Sequence, residues 1–463
     1  MIWLITTIGF ILRLIGSNQS LWLDEAASVE IAKTPLPDFF VKMATDFHPP
    51  FFYLLLKPWI FIAQCEMSLR LPFILIGTAT IPAIYYLTRR FSSKNHTPLV
   101  AALLLAVNPF HIYYSQELRM YSLSALLVTL SWYLILRYKE KITVKQSLLF
   151  ILVQTLGFYT FYGVLFNWVA QVIFLFLAKS KNKELKSLVL VSPVVLLPWW
   201  PILKIQLANG GYLSSALSGW NQLSGDLSLK SLSLLVLKPA FGRLSFSPKP
   251  LYFFLASLTS LIYLYLVIKA WSQKHKPLFA WLTIPIIVAL IVSIKTPVLG
   301  YWRYLYLLPA LVILASLGLE KLATKQKTII TLILVLLSAI SIVITQLTPQ
   351  NQRENWRELS KYLSDKQGLV VVNFPSVFSP LKYYLPDGKF LPAQERLKVL
   401  SSNFLPAIAN SSFQGKDIYY LEYLSDLTDP KRTVLVLINS YFNKAEEISI
   451  PGVGKLIHFT PKL

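Results

Sequence analysis

The sequence contains little charge for its length. Only 14% of its 463 residues are charged, whereas 55% are hydrophobic and the mean hydropathy is +0.54. A soluble enzyme of this length carries more charge and less apolar sequence. The single cysteine, Cys65, cannot form an internal disulfide, so it gives no indication of the redox compartment. The composition therefore argues against a soluble enzyme and favours a membrane protein.

Acidic residues are the scarcer of the two charge types. The chain has 22 acidic and 44 basic residues, which gives a formal net charge of +22. Residues 346–463 hold 14 basic and 11 acidic residues, so most of the basic excess lies in residues 1–345. A nucleic-acid-binding protein presents its cations on a soluble face, whereas these cations lie between long apolar runs. They are expected to fix membrane topology, and no nucleic acid partner is predicted.

Eleven apolar segments are candidates for membrane-spanning helices, which need about 20 apolar residues each. Five short loops between them carry 17 Lys and Arg residues, and the positive-inside rule places these loops in the cytoplasm. The first apolar run lacks a basic region before it, so it is interpreted as a retained span and not as a cleaved signal. The predicted spans lie near residues 1–15, 68–88, 98–114, 121–138, 146–163, 164–178, 187–203, 251–269, 278–294, 303–319 and 328–345. The loop cations are Arg89, Arg90, Lys94, Arg137, Lys139, Lys141, Lys145, Lys179, Lys181, Lys183, Lys186, Lys269, Lys274, Lys276, Lys321, Lys325 and Lys327.

The predicted topology puts the N-terminus in the cytoplasm and the C-terminus outside. Residues 51–63 are too short for a span and are interpreted as a helix lying at the outer interface. Residues 205–249 are rich in Ser and Gly and are interpreted as a long outer loop that covers part of the protein. Arg13 lies at the outer end of the first span, which is an unusual place for a cation.

The composition changes after Pro349. Residues 353–365 have a helix-like pattern, and residues 368–374 and 433–439 are interpreted as buried strands. The sequence therefore predicts a transmembrane domain over residues 1–345, with a catalytic outer first loop at 17–67, and a small extracytoplasmic α/β domain over residues 346–463. The fold class is a polytopic α-helical membrane protein with about eleven spans and this added domain.

Two adjacent carboxylates lie in the first outer loop, where Asp24 and Glu25 follow Trp22 and Leu23. A carboxylate in partly apolar surroundings at the bilayer edge can act as a general base. Acidic residues in the first turn of a helix also interact favourably with the helix dipole. Both interpretations are open on these two residues alone.

The same loop ends in Asp46-Phe47-His48-Pro49-Pro50. His48 at this rigid turn can bind an anion or move a proton, but a proline-rich turn is also ordinary helix initiation. Asp24, Asp46 and His48 together could suggest a metal site. Their spacing fits no recognised ligand pattern, so no metal is predicted.

Two further segments place ionisable residues at the outer ends of predicted spans. Residues 111–121 are dense in polar and aromatic side chains, and residues 301–304 read Tyr-Trp-Arg-Tyr. Ionisable groups beside an apolar segment usually pair or face a cavity, and a guanidinium suits a phosphate. Taken as an isolated residue, Arg303 is better explained as an interfacial anchor. The predicted topology nevertheless places the base, the cations and the aromatic residues on one side of the membrane.

Four segments in this order resemble the GT-C superfamily of lipid-sugar-dependent glycosyltransferases, specifically bacterial relatives of glycosyltransferase family 39, the protein O-mannosyltransferases. They are residues 22–25, 48–50, 114–121 and 303–309, and the resemblance spans about residues 1–320. Residues 355–358 and 383–384 also resemble the extracytoplasmic end of such bacterial enzymes.

The resemblance implies a polyprenyl-phosphate sugar donor that is attacked from the extracytoplasmic side by a hydroxyl of an acceptor protein, lipid or glycan, with inversion. Asp24 matches the family's catalytic carboxylate, and Glu25 is its expected helper. The expected location is the bacterial plasma membrane. The residues expected to contact the donor and its phosphate are His48, Arg119, Tyr301 and Arg303. Those expected to hold the acceptor or support the site are Tyr114, Gln116 and Glu117.

The sequence departs from the family at one turn. Some aminoarabinose-transferring relatives have an acid and a lysine before the proline, where this chain has Phe47 and His48. The departure weakens transfer of their sugar specificity and of any role for a divalent metal, and no cofactor is otherwise implied. Two other classes stay open, a lipid-linked sugar flippase or transporter and a non-catalytic membrane assembly partner. Transporters often have internal repeats and ionisable groups at the membrane midplane, whereas the charges here gather at helix ends and in loops.

Overall fold

The computed structural model describes residues 1–138, 140–177, 182–217 and 219–462. Most of these residues are helical, and short 3-10 helices lie at Ser192–Trp199, Gln273–His275, Tyr301–Leu307 and Pro349–Asn351. The α-helices are α1 Ile2–Leu14, α2 Leu23–Lys33, α3 Leu36–Ala44, α4 Phe51–Trp59, α5 Glu66–Thr88, α6 His96–Val107, α7 Pro109–Ser115, α8 Tyr121–Arg137, α9 Val144–Thr160, α10 Val164–Leu177, α11 Lys183–Val191, α12 Trp200–Ala216, α13 Trp220–Ser224, α14 Leu229–Phe241, α15 Lys249–Lys269, α16 Lys276–Val292, α17 Leu308–Glu320, α18 Thr324–Leu347, α19 Trp356–Ser364, α20 Ser379–Tyr384, α21 Phe404–Phe413, α22 Ser425–Thr428 and α23 Thr433–Tyr441.

Contacts divide the chain into two compact units. Unit 1 comprises Met1–Ser17, Pro37–Gln206 and Gln222–Asn351, and unit 2 comprises Asn18–Leu36, Leu207–Asn221 and Gln352–Leu463. Unit 2 thus includes residues of the first outer loop in addition to the C-terminal residues. The division into a transmembrane and an extracytoplasmic domain refers to the position of each part relative to the membrane, and it stays a prediction.

Apolar helices dominate unit 1. Within the described residues, six helical stretches are long and apolar enough to cross a membrane, and a seventh is added if α6 and α7 count as one bent span. Each of the eleven predicted spans coincides over most of its described residues with one helix or with two or three consecutive helices. The polytopic helical class is confirmed, whereas the number of crossings stays a prediction. Lys139, Lys179 and Lys181, three of the predicted cytoplasmic cations, lie outside the described residues.

The bend between α6 and α7 has a local cause. The two helices meet at 60°, because Pro109 opens α7 and the Asn108 side chain accepts a hydrogen bond from the backbone N–H of His111 at 2.9 Å. The carbonyls at the end of α6 then lose their usual helical partners, although the backbone N–H of Asn108 still donates to that of Leu105 at 3.3 Å. Arg13, which is fully buried, donates to two of them, those of Leu105 at 3.3 Å and Ala106 at 3.1 Å. The cation that seemed misplaced in the sequence therefore caps a helix.

The expected long loop at 205–249 is instead largely helical. Helix α12 continues to Ala216, and α13 and α14 follow. Ser228 caps α14 by accepting from the backbone N–H of Ser231 at 3.3 Å. The Ser and Gly residues that indicated a loop therefore lie mainly at helix ends.

Unit 2 contains a five-stranded sheet. Its strands are β1 Gly368–Val372, β2 Phe390–Pro392, β5 Asp417–Glu422, β6 Phe442–Ile450 and β7 Gly454–Pro461, in the order β2-β1-β5-β7-β6. Strand β1 pairs in parallel with β2 and β5, whereas β7 is antiparallel to β5 and β6. The strands β3 Gln394–Arg396 and β4 Val399–Leu400 form a separate hairpin. The expected C-terminal α/β region is confirmed, with α19 and β1 close to their predicted positions.

The strand expected at 433–439 is wrong, because these residues form α23. The carboxylate of Asp429 accepts from the backbone N–H groups of Thr433 at 3.0 Å and Val434 at 2.9 Å and caps the helix. Val434 and Ile438, four residues apart, are buried on one face of α23 in a core that includes Ile418 and Phe459. The cap and this helical spacing outweigh the strand propensity of a β-branched run.

Candidate functional site

The predicted catalytic carboxylates lie at the start of α2 in unit 2. Glu25 is fully buried, and its carboxylate accepts from the backbone N–H of Trp22 at 3.4 Å, which satisfies a backbone donor at the helix start. Asp24 is partly exposed on the same turn. Adjacent helical residues point about 100° apart, so the two carboxylates have different environments. Glu25 supports the helix start, and Asp24 is the accessible acid.

A third carboxylate, Glu354, holds the helix that carries Asp24. It accepts from the backbone N–H of Leu23 at 3.0 Å, from the indole of Trp356 at 2.7 Å and from the hydroxyl of Tyr423 at 2.9 Å. Burial raises the pKa of Glu354, and the nearby charge of Asp24 raises it further against the lowering effect of these hydrogen bonds. Glu354 therefore connects the C-terminal residues of unit 2 with the candidate base.

The C-terminal residues that carried part of the resemblance also hold this loop. The hydroxyl of Tyr384 accepts from the backbone N–H of Leu21 at 2.8 Å, and Arg357 donates to the carbonyl of Asn18 at 2.8 Å. These contacts join positions more than 300 residues apart in the chain. The start of α2 is thus positioned from within unit 2.

His48, Arg119 and Asp46 form a cluster in unit 1, here called the His48 cluster. The His48 imidazole lies 3.5 Å from an Asp46 carboxylate oxygen and 3.5 Å from the Arg119 guanidinium. Tyr53 donates to the same carboxylate at 2.5 Å. Burial would raise the pKa of Asp46, but the charges of His48 and Arg119 and the hydroxyl of Tyr53 together lower it to about 2. The Asp46 carboxylate therefore stays charged and orients His48.

The backbone around this cluster is also fixed. Gln206 donates to the carbonyls of Met43 at 2.8 Å and His48 at 3.2 Å. Gln116 donates to the carbonyls of Arg13 at 3.0 Å and Ile15 at 2.6 Å, which places the 116–119 turn against the end of α1. Gln116 thus fixes the backbone of this turn, and its role in the site stays a prediction.

A second group in unit 1, the tyrosine–arginine cluster, consists of Tyr113, Tyr114, Arg243 and Tyr301. Arg243 donates to the Tyr113 hydroxyl at 2.5 Å, and its guanidinium lies 4.8 Å from the centre of that ring. The Tyr301 hydroxyl is within hydrogen-bonding reach of Tyr114 and Arg243. Glu117 is close enough to act electrostatically on Arg243. This cluster contains Tyr301 and Tyr114, which the sequence predicted, and Arg243, which it did not.

Arg303 has a different environment from Arg243. One of its nitrogens donates to the carbonyls of Ser224 at 2.9 Å and Pro297 at 3.0 Å. Its guanidinium also lies 5.8 Å from the centre of the Trp302 ring. These contacts join two backbone segments of unit 1. The role of Arg303 in donor binding stays a prediction.

An apolar cavity lies beside Pro50, which is two residues after His48 in the sequence. Its volume is about 470 Å³, and Pro50, Phe51, Leu54, Tyr159 and Trp199 are among its lining residues. Such a lining suits an aliphatic chain and offers few groups to a sugar. Among the described residues, no group of three or more His, Cys, Asp or Glu is arranged to hold a metal ion.

Comparisons with known proteins give a match of part of the chain to a family model, and a fold. A family model described as dolichyl-phosphate-mannose-protein mannosyltransferase matches residues 47–203, which include His48 and Arg119. Two crystal structures of ArnT from Cupriavidus metallidurans, one in the apo state and one bound to undecaprenyl phosphate, superpose with TM-scores of 0.62 and 0.63, at 12% identity, over 99% of this chain and 97% of that chain. The apo oligosaccharyltransferase of Archaeoglobus fulgidus superposes with a TM-score of 0.55, at 12% identity, over 100% of this chain and 74% of that chain. No curated protein is similar enough in sequence to match.

These matches define the class of protein. The chain has the GT-C glycosyltransferase fold, as the motifs predicted, and its apolar helices make it an integral membrane protein. Within that class, residues 47–203 are similar to the dolichyl-phosphate-mannose-protein mannosyltransferase family. The resemblance inferred from the sequence is confirmed.

Proposed function

We propose that the protein transfers a sugar from a polyprenyl-phosphate donor to an acceptor hydroxyl on the extracytoplasmic side of the membrane. The observation that carries the proposal is the gathering of His48, Arg119 and Arg243 around residues 113–119, in a fold that ArnT shares. ArnT has been crystallised with undecaprenyl phosphate. Guanidinium groups beside aromatic rings suit a phosphate at the membrane surface. The apolar cavity next to Pro50 would take the first isoprene units of the same lipid.

The proposed reaction is a single displacement. The acceptor hydroxyl forms a bond to the anomeric carbon as the bond from that carbon to the phosphate oxygen breaks, and configuration inverts. Asp24 takes the proton of the hydroxyl as general base. Polyprenyl phosphate leaves with the electron pair, and Arg119 and Arg243 stabilise its charge, with Arg303 as a further candidate. Glu25 and Glu354 support the start of α2.

A donor panel tests the proposal. Purified protein in lipid nanodiscs is mixed with polyprenyl-phosphate sugars that differ in the sugar, and release of polyprenyl phosphate is followed with and without an acceptor extract. We expect release from one donor or a few related donors, with Asp24→Asn as the inactive control. A transporter would move a donor across a liposome membrane without cleaving it. Folded wild-type protein that releases polyprenyl phosphate from no donor would contradict the proposal.

The proposed orientation has Lys183 in the cytoplasm and the residues after Pro349 outside. Cysteine labelling tests it in a Cys65→Ser background, because Cys65 is the one exposed native thiol. Lys183→Cys and Val399→Cys introduce single thiols at exposed positions. An impermeant maleimide added to intact cells should label position 399 and spare position 183. The reverse pattern would invert the topology.

A further inference from the structure

A second cavity of unit 1 has a mixed lining and is here called the polar cavity, because charged side chains line part of it. Its volume is about 230 Å³, and it lies between residues 222–234 and 299–302. Asp226, Ser228 and Lys230 line one side, and Tyr301 and Trp302 line the other. It is about half as large as the cavity beside Pro50 and has carboxylate and ammonium groups that the other lacks. The two cavities therefore suit different ligands.

Two glycines determine the shape of the polar cavity. Gly225 has a φ of +93°, and a Cβ there would lie 2.0 Å from the backbone nitrogen of Gly300. A Cβ on Gly300 would lie 2.7 Å from the ring of Trp302. The backbone N–H of Leu299 donates to the carbonyl of Gly225 at 2.8 Å. Side chains at the two glycine positions would separate the segments or displace the Trp302 ring.

Hydrogen bonds fix the polar side of this cavity as well. One oxygen of Asp226 accepts from the hydroxyls of Ser228 at 2.7 Å and Ser231 at 3.1 Å, which orients the carboxylate. Arg303 bonds to the carbonyls of Ser224 and Pro297 and holds the two segments together. The cavity is thus built before any ligand arrives, and a preformed site loses less entropy on binding.

The lining matches the chemistry of a pyranose. A pyranose ring has apolar C–H faces, which pack on aromatic rings, and a rim of hydroxyls, which bond to carboxylate, hydroxyl and ammonium groups. Tyr301 and Trp302 supply the aromatic side, and Asp226, Ser228 and Lys230 supply the polar side. A volume of about 230 Å³ accommodates one hexose ring.

We propose that this cavity binds a single hexopyranose unit. The assignment of this ligand as a sugar, and not as another polar ring compound, rests on the proposed function. Tyr301 belongs both to the cavity and to the tyrosine–arginine cluster, so a sugar bound here lies beside Arg243. The sugar is either the one carried by the donor or the terminal sugar of an acceptor glycan. In both cases the cavity binds one sugar ring and the hydroxyls on that ring.

Trp302→Ala and Asp226→Asn test the proposal against Trp271→Ala, which alters an exposed tryptophan outside the cavity. Binding of methyl hexopyranosides to the protein in nanodiscs is measured by saturation-transfer NMR. We expect the wild type and Trp271→Ala to bind at least one hexoside, and both cavity variants to lose about tenfold or more in affinity, or about 1.4 kcal/mol. Equal binding by all four proteins, or no binding by the wild type, overturns the proposal.

Turnover assays identify the source of the sugar. If the donor sugar occupies the cavity, Trp302→Ala raises the KM for donor hydrolysis measured without acceptor. If an acceptor sugar occupies it, donor hydrolysis is unchanged and the KM for acceptor rises. Hexoside binding that depends on Trp302 in a protein that cleaves no donor would support the cavity and contradict the proposed function. Normal donor cleavage together with hexoside binding that does not depend on Trp302 would support the proposed function and contradict the cavity as the sugar site.

Discussion

The candidate base and the candidate phosphate-binding residues lie in different units and are held in different ways. Glu354 and Asp46 are the supporting carboxylates, and their pKa values move in opposite directions. Burial raises the pKa of Glu354, and the charge of Asp24 adds to that rise. His48 and Arg119 overcome the effect of burial at Asp46 and lower its pKa to about 2. The candidate base thus lies near a second carboxylate, whereas His48, Arg119 and Arg243 bring cations to the other region, as expected if one accepts a proton and the other binds a phosphate.

The two regions also differ in which parts of the chain support them. The contact between Leu23 and Glu354 joins residues 331 positions apart, whereas that between His48 and Arg119 joins residues 71 positions apart. The C-terminal residues are therefore part of the support for the candidate base and not an independent appendage. Mutations in the two regions should have separable effects, on turnover in one and on donor binding in the other.

The largest expected effect is that of Asp24→Asn. Asparagine keeps the size of the side chain but cannot accept the proton, and loss of a general base typically costs about 100- to 10,000-fold in rate. We expect kcat to fall by this range and the KM for donor to change little. The measurement is polyprenyl phosphate release at saturating donor and acceptor.

Glu25→Gln is the matched control for Asp24→Asn. Glu25 is buried and bonded to the backbone of Trp22, so its loss should affect abundance and stability more than chemistry. Near-normal turnover in Asp24→Asn, or a deeper loss per folded molecule in Glu25→Gln, would reverse the assignment of the base.

The next effect is expected at Arg243. A hydrogen bond to a charged group contributes about 1.5–3 kcal/mol, so Arg243→Ala should raise the KM for donor by roughly 10- to 100-fold. The guanidinium fork is the feature that suits a phosphate, and Arg243→Lys should restore only part of the binding. Donor KM in acceptor-free hydrolysis is the measurement.

Arg303 provides the comparison for Arg243. The sequence predicted that Arg303 holds the donor phosphate, and in that case Arg303→Lys should weaken donor use more than Arg243→Lys does. Because Arg303 already bonds to two backbone carbonyls, we expect Arg303→Lys to lower thermal stability and to change donor KM less. The ranking of the two lysine variants decides between the residues.

A smaller effect is expected from Glu354→Gln. Loss of a helix cap costs about 0.5–2 kcal/mol, and the misplaced α2 should lower kcat by about tenfold without changing donor KM. Glu358→Gln on α19 is the matched control, since Glu358 is exposed and bonds to Asn355 within its own helix start. An unchanged kcat in Glu354→Gln, or an equal fall in Glu358→Gln, would contradict this positioning role.

Much of the fold could be predicted because its signals are local. Apolar runs and basic loops mark the helices of unit 1, and the motifs around Asp24, His48 and Arg119 identify the class. Residues 433–439 show the limit of this approach, because their β-branched side chains indicate a strand until the cap from Asp429 is known. Whether residues 433–439 form a helix or a strand is thus decided by the side chain of Asp429, which lies outside the segment.

The supports of the candidate site could not be predicted from local patterns. Glu354 bonds to a backbone group 331 positions away, and no sequence spacing indicates such a contact. Arg243 lies in a segment whose Ser and Gly content indicated only a covering loop. The segment that forms α14 lies between two glycines, Gly225 and Gly242, and Arg243 directly follows the second one. Glycines often mark helix ends or turns, and this was the available signal for Arg243. Arg13 was noticed as unusual, but its role requires the bend at Pro109.

The smallest effect on activity is expected from Asp46→Asn, which tests the cation-rich region through stability. The pKa of Asp46 is about 2 in the folded protein, below its ordinary value of 3.8. A depressed carboxyl pKa stabilises the folded state fully above the unfolded value, and this stabilisation is lost as the pH falls from about 4 through about 2. A shift of this size corresponds to about 2 kcal/mol. Asp46→Asn should therefore lower the thermal midpoint at pH 7, and the difference from wild type should shrink as the pH approaches 2.

Asp38→Asn, at an exposed position on α3, should leave the midpoint unchanged at every pH. Donor KM should rise only a few-fold, because His48 keeps its contact with Arg119 when the carboxylate is removed. A midpoint difference that does not depend on pH would show that Asp46 stabilises the turn by packing and not by its charge.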